Sequence, residues 1–246
     1  MRLDGRIALV TGASRGLGAA VAVRLAAAGA HPVLLARSVG GLEATDDRIR
    51  KAGGAATLIP LDLREFDKID QLGAALAERF GRLDVLVAAA GVLGALSPLG
   101  HVDPKLWQEV MEVNATANWR LVRALDRLLR AAPAGRAIFV TCAAAREAQP
   151  YWGAYAASKA ALEAMVRVYA GEVAKLGVRA NLIDPGPLRT DLRAAAFPRE
   201  DRARLRPPED AAEAFLALAS AECAANGTLV TLGPAGGEVE AAPPGA

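Results

Sequence analysis

Tyr155 and Lys159 stand four residues apart in Trp152-Gly153-Ala154-Tyr155-Ala156-Ala157-Ser158-Lys159, a run of small and apolar residues at helical spacing. On a helix, residues i and i+4 share a face, so a phenol and an ammonium so placed can address one ligand together. An unperturbed phenol titrates near about 10 and is a poor base at neutral pH. A neighbouring ammonium stabilises the phenolate and lowers that value. The pair is therefore a candidate general acid and base, with Tyr155 moving the proton and Lys159 supplying the field.

A second constellation lies near the N-terminus, where Ile7-Ala8-Leu9-Val10 runs into Thr11-Gly12-Ala13-Ser14-Arg15-Gly16-Leu17-Gly18 and then the helical run Ala19 to Ala28. A strand, a glycine turn and a helix in that order let backbone and helix N-terminus approach a pyrophosphate, whose charge the exposed N–H groups stabilise. The same string also fits the G-x-S-x-G nucleophile elbow, with Ser14 as the nucleophile of an α/β-hydrolase. That reading needs a triad histidine, and of the two in the chain His31 reads as a strand residue and His101 as a loop residue. Where an acidic residue would take the ribose 2′-OH of NAD, at the end of the second β-rich run, the chain has Leu35-Ala36-Arg37-Ser38. Arginine suits a 2′-phosphate and Arg15 adds a second positive charge, so NADP(H) is expected in preference to NAD(H).

These groups need a scaffold that brings distant segments together, and the hydropathy pattern predicts one. Short β-rich runs at Ile7 to Val10, His31 to Leu35, Ala55 to Leu61, Val85 to Ala89, Ala137 to Thr141, Arg179 to Ile183 and Thr228 to Leu232 alternate with helical stretches. Alternation of this kind gives βαβ units, hence an α/β Rossmann fold: a doubly wound, seven-stranded parallel sheet flanked by helices, as a single domain over residues 1–246. The two longest helical patterns, Pro104 to Arg130 and Gly153 to Leu176, are apolar on more than one face. They are expected to bury against the sheet and against a second subunit, in a homodimer or homotetramer. Thr190 to Pro208, rich in Arg and Pro, reads as an irregular excursion, and the tail from Gly233 as frayed.

Composition excludes several classes. Lys plus Arg at 29 against Asp plus Glu at 27 leaves no basic footprint for nucleic acid or an acidic membrane surface. Two cysteines, Cys142 and Cys223, build neither a disulfide framework nor a Cys-rich zinc site, so no metal is expected and a reducing cytosol fits. Met1 to Val10 does not read as a signal peptide, and the longest apolar run, Val85 to Leu96, falls short of the ~20 residues of a membrane span.

Taken in order, these motifs resemble the short-chain dehydrogenases/reductases, whose glycine turn has the form T-G-x-x-x-G-x-G, and the likeness spans nearly the whole chain. It includes Asp62-Leu63 after the third strand, similar to the family's adenine-contacting acidic residue, and Ala88-Ala89-Ala90-Gly91 after the fourth, where the family usually has Asn-Asn-Ala-Gly. It continues through Asn114, Tyr155-x-x-x-Lys159 and Pro185-Gly186-Pro187-Leu188-Arg189-Thr190, which looks like the family's nicotinamide-side loop. The resemblance implies an oxidoreductase that moves hydride between NADP(H) and a small carbonyl or alcohol. It also implies that Lys159 contacts the nicotinamide ribose and that Asn114 holds a water in the proton relay.

One departure bears on the chemistry. Thirteen residues before Tyr155 the family usually has a serine that hydrogen-bonds the substrate oxygen, and this chain has Cys142. Neighbouring strand residues point to opposite faces, so Thr141 cannot substitute without rearrangement. A thiol donates more weakly than a hydroxyl, and losing a good oxyanion donor costs roughly 3 to 4 kcal/mol of barrier. An alternative is thus a dinucleotide-binding protein with impaired chemistry and a regulatory or assembly role. By resemblance, the substrate pocket is framed by Leu93 to His101, Ala143 to Trp152 and Leu188 to Arg206. Leu93, Ala144 and Trp152 are candidate walls, and Arg146 and Arg193 candidate anchors for an anionic group, against the commoner case of solvated arginines.

Overall fold

Along β1 (Ile7–Thr11), Leu9 joins one apolar layer while Ala8 and Val10 join the other. Leu86 and Ala88 of β4 (Val85–Ala88) divide in the same way from Val85 and Val87. Strands apolar on both faces need helices on both. One layer is closed by α3 (Phe66–Phe80), α5 (Ala117–Ala131) and α6 (Gly153–Val173). The other is closed by α1 (Gly16–Ala27), α2 (Val39–Lys51) and α8 (Pro208–Ala219). The computed structural model describes residues 1–147, 149–233 and 238–242.

The remaining strands are β2 (His31–Ala36), β3 (Thr57–Pro60), β5 (Arg136–Val140), β6 (Arg179–Asp184), β7 (Leu229–Leu232) and β8 (Glu238–Ala242), in the sheet order β3-β2-β1-β4-β5-β6-β7-β8. The seven expected parallel strands are present. β8 adds an antiparallel edge on β7, so residues 238–242 are a strand where a frayed tail was expected. The other tail residues, 234–237 and 243–246, lie outside the described residues. From β1 the chain winds outward to β2 and β3, then crosses back to β4 on the other side of β1. The carboxyl ends of β1 and β4 therefore diverge into the crevice where open α/β sheets take ligands.

The helical pattern from Pro104 to Arg130 is not one regular helix. α4 (Pro104–Met111) gives way to a π-helical turn, Glu112–Thr116, before α5 begins. Asn114 sits in that turn with its side chain bonded out to a neighbouring loop, a competition with the helical ladder that a widened turn accommodates. The excursion after Thr190 holds a short helix, α7 (Asp191–Ala196), and one 3₁₀ turn. Among the described residues no helix is long and apolar enough to cross a membrane.

Candidate active site

A cavity of about 1010 Å³ runs along the carboxyl ends of the strands, from Arg37 and Asp62 at one end to Trp152 and Phe197 at the other. At the switch point the loops after β1 and β4 touch. Gly12 has φ +68°, and a Cβ there would lie 2.9 Å from Ala90 Cα, while one on Gly18 would overlap the Gly12 carbonyl oxygen. Both asparagines of the family's pattern are absent here; instead the Thr11 hydroxyl accepts the Ala90 N–H at 3.1 Å. The first turn of α1 carries neither an acidic residue nor a side-chain cap, so its N–H groups face the cavity unclaimed by the protein.

Ser38 caps α2 by accepting the Gly41 N–H at 3.1 Å, and Gly41 has room for no more than a hydrogen against Ser14. This close approach sets Arg37 and Ser38 beside the glycine turn. Arg37 and Arg15 are well exposed, with loose carboxylate neighbours at 3.9 Å (Asp62) and 3.5 Å (Asp191). Such surface pairs hold little energy, so both guanidiniums are free to turn to an anion. Asp62 itself is gripped by Arg64 at 2.7 Å, and that hydrogen bond holds its carboxyl below the usual range.

Ser14 lacks the base that a nucleophile elbow needs. His31 pairs with the Thr57 hydroxyl at 2.9 Å and stacks near Phe80, burial pushing its pKa down, and His101 is exposed in a 3₁₀ turn. Neither borders the cavity, so the hydrolase reading falls.

At the far end, Tyr155 and Lys159 rise from the start of α6. The Lys159 ammonium lies 5.9 Å from the Tyr155 ring centre and donates to the Val140 carbonyl at 2.9 Å. Cys142 packs against the apolar cluster that contains Tyr155. Burial, then the neighbouring Cys142, pushes the Tyr155 hydroxyl above the ordinary phenol value. Burial likewise pulls Lys159 below the usual lysine value and pushes the Cys142 thiol up. Burial thus outweighs the lowering of the phenol that the neighbouring ammonium suggested. In this state Tyr155 is a protonated acid and Cys142 a neutral thiol.

Asn114 does not border the cavity but braces it. Its side-chain amide donates to the Val92 carbonyl at 2.9 Å and to Ser158 Oγ at 3.0 Å, and its oxygen accepts the Val92 N–H at 2.9 Å. A Cβ on Gly91 would sit 3.4 Å from that oxygen and 3.5 Å from the Lys159 nitrogen, so the β4 loop passes between them. The remaining candidates for the nucleotide, Gly16, Leu17, Leu63, Ala89, Pro185, Gly186, Leu188 and Thr190, all border the same cavity.

Thr141 and Cys142 both border the cavity, but the Thr141 hydroxyl is committed elsewhere. Thr141 donates to Glu163 at 2.8 Å. Glu163, nearly fully buried, also holds Arg146 and, at 2.9 Å, Arg167; Arg146 reaches on to Asp184 at 2.7 Å, and Asp184 accepts the Gly186 N–H at 3.0 Å. One network thus ties the end of β5, helix α6 and the loop after β6, and sequence reasoning missed its two acids. The available signal was an acid inside an apolar run, as in Leu182-Ile183-Asp184, since a buried charge must be paired.

The expected substrate walls need correction. Ala144 and Trp152 line the cavity, but no residue of Leu93 to His101 does: Ser97 is tied to the Tyr151 carbonyl at 3.0 Å, and Leu93 backs the apolar cluster from behind. Trp152 packs edge-on to Tyr155, ring centres 5.9 Å apart, and lies 5.6 Å from Phe197, an aromatic that the sequence reading did not single out. Neither candidate anion anchor is free. Arg146 is spent on Glu163 and Asp184, and Arg193 is bound by both oxygens of Glu200 at 2.6 and 2.7 Å.

Known proteins share this arrangement. The family described as short chain dehydrogenase matches residues 6–201. The uncharacterized oxidoreductase YciK of Escherichia coli K12 is 38% identical over 219 residues, 88% of this chain and 86% of its own. A crystal structure of a short chain dehydrogenase from Salmonella enterica serovar Typhi superposes with a TM-score of 0.90 at 36% identity, covering 93% of this chain and 96% of that one. A short chain dehydrogenase from Escherichia coli CFT073, crystallised with NADPH, does so with a TM-score of 0.89 at 37% identity over 93% and 97%.

Proposed function

The chain belongs to the short-chain dehydrogenase family, and on that premise we propose that it is an NADP(H)-dependent oxidoreductase interconverting a small carbonyl compound and its alcohol. The observation that carries this reading is the single cavity that joins a glycine turn with free helix N–H groups to the Tyr155–Lys159 pair. The cradle suits a dinucleotide: Gly12 and Gly18 leave backbone where any side chain would collide, and the N-terminus of α1 favours a pyrophosphate. Arg37 and Arg15 favour a 2′-phosphate at the adenosine end. NAD(H) stays the weaker alternative.

NADPH, when bound, supplies the hydride that adds to the carbonyl carbon. Tyr155 donates its hydroxyl proton to the oxygen as negative charge builds there, completing the alcohol. Lys159 stabilises the phenolate left behind. Cys142 offers the same oxygen a second, weak hydrogen bond in the position where the family uses serine. Asn114, through Val92 and Ser158, fixes the β4 loop against Lys159 and so acts as a positioning residue. The partner is a small molecule. The outer sides of α5 and α6 carry exposed Trp119, Val168 and, just beyond α6, Leu176, which suits a homodimer through these helices that a sizing column would register.

Calorimetry with NADPH and NADH, paired with NADPH consumption over ketones and aldehydes, tests the reading. NADPH is expected to bind more tightly than NADH, Arg37→Asp to reverse that order, and Tyr155→Phe to bind NADPH normally while losing about a hundredfold or more in turnover. No binding of either nucleotide, or turnover that survives Tyr155→Phe, overturns it.

A further inference from the structure

The cavity wall around the reacting end is apolar. Ala144, Tyr155 and Ala196 line it, with Cys142, Trp152, Leu192 and Phe197 packed around them. A substrate whose oxygen reaches Tyr155 shares the cavity with Trp152, 5.9 Å from the Tyr155 ring centre, and with Phe197, 5.6 Å beyond Trp152.

A cation stands at this wall, but it is already neutralised. The Arg193 guanidinium lies 3.7 Å over the Phe197 ring centre, and Glu200 takes two of its N–H groups at 2.6 and 2.7 Å. Both side chains are about a quarter exposed. A bidentate, charge-assisted pair stacked on an aromatic face is a strong arrangement for its size, and it turns the guanidinium plane into a lid on Phe197 rather than a hook for a carboxylate. The other charges bordering this end do not replace it. Asp184 is paired with Arg146, Asp191 with Arg15 and, at 3.7 Å, Arg202. Glu147 borders the cavity as an exposed acid and repels an anion, and Arg189 borders it, exposed, from the loop after β6.

We propose that Glu200 is a specificity-determining residue: by holding Arg193 against Phe197 it withholds that guanidinium from a substrate, and the pocket selects an uncharged carbonyl compound bearing an aryl or alicyclic ring. The inference rests on the carbonyl-reductase reading above and narrows it. The reaction is the same: hydride from NADPH adds to the carbonyl carbon, the C=O electron pair moves to oxygen, and the Tyr155 proton closes the alcohol.

The test uses matched pairs, acetophenone with 4-acetylbenzoate and cyclohexanone with 4-oxocyclohexanecarboxylate, measured as kcat/KM for NADPH consumption and as ligand-induced melting shifts of the NADPH-loaded protein. The uncharged member of each pair is expected to win by about tenfold or more in the natural protein. Glu200→Gln, which frees Arg193, is expected to shift that ratio by about tenfold toward the carboxylate, and adding Arg193→Gln to restore it. Equal or better handling of the carboxylates by the natural protein, a ratio unmoved by Glu200→Gln, or no turnover and no melting shift with any of the four overturns the proposal. In each of these cases NADPH binding leaves the wider reading standing. If NADPH itself fails to bind, that reading falls and the proposal falls with it.

Discussion

The loops after β1 and β4 face the β5–α6 junction across one cavity, and the two are made of opposite materials. On the first side the grip comes from missing atoms: glycines at 12 and 18 leave backbone exposed, and the N-terminus of α1 presents dipole and N–H groups with no side chain competing. On the second side nearly everything is a side chain, from the Tyr155–Lys159 pair to the Thr141–Glu163–Arg146–Asp184 chain. A site built on space fails when something is added. A site built on paired buried charges fails when something is taken away.

The largest effect should follow from adding one methyl to the first side. Gly18→Ala forces a Cβ into the Gly12 carbonyl, and overpacking of about 3 kcal/mol predicts an NADPH Kd raised about a hundredfold by calorimetry. An unchanged Kd would show that the turn relaxes and that space is not what holds the nucleotide.

Removing a charge from the second side should be nearly as costly, but in a different observable. Glu163→Gln leaves Arg146 and Arg167 without their buried partner, and about 2 to 3 kcal/mol of stability should be lost in urea unfolding. NADPH affinity should fall far less, because the network reaches the nucleotide only through the Asp184–Gly186 contact and does not touch the glycine turn. Equal losses in both measurements would erase the distinction between the two sides.

Cys142→Ser should act in the opposite direction. A hydroxyl is the better donor to a developing oxyanion, so kcat for carbonyl reduction is expected to rise by about tenfold with the nucleotide Kd unmoved. A fall in kcat would mean that the thiol is tuned to its substrate.

The smallest effect is the pH profile. Reduction needs both Tyr155 and Lys159 protonated, so activity is lost as pH rises. Burial lowers the lysine and raises the phenol, so the first alkaline limb should belong to Lys159 and lie below the ordinary lysine value. Initial rates that rise with pH would contradict the protonated pair.

Local chemistry along the chain determined much of this protein. Alternating β-rich and helical runs dictate a parallel sheet covered on both faces, and a glycine turn between the first strand and helix dictates where a pyrophosphate sits, because both depend on neighbours in sequence. The i, i+4 spacing put Tyr155 and Lys159 on one face. Only the tertiary structure decided what depends on distant partners. Burial raised the Tyr155 hydroxyl, a π-helical turn carried Asn114 to Val92, and Glu200 and Asp184 took the arginines that the sequence offered to a substrate. The sign of a pKa shift and the freedom of a charge are set by desolvation and by which opposite charge arrives first, and neither is written in the spacing of residues along a chain.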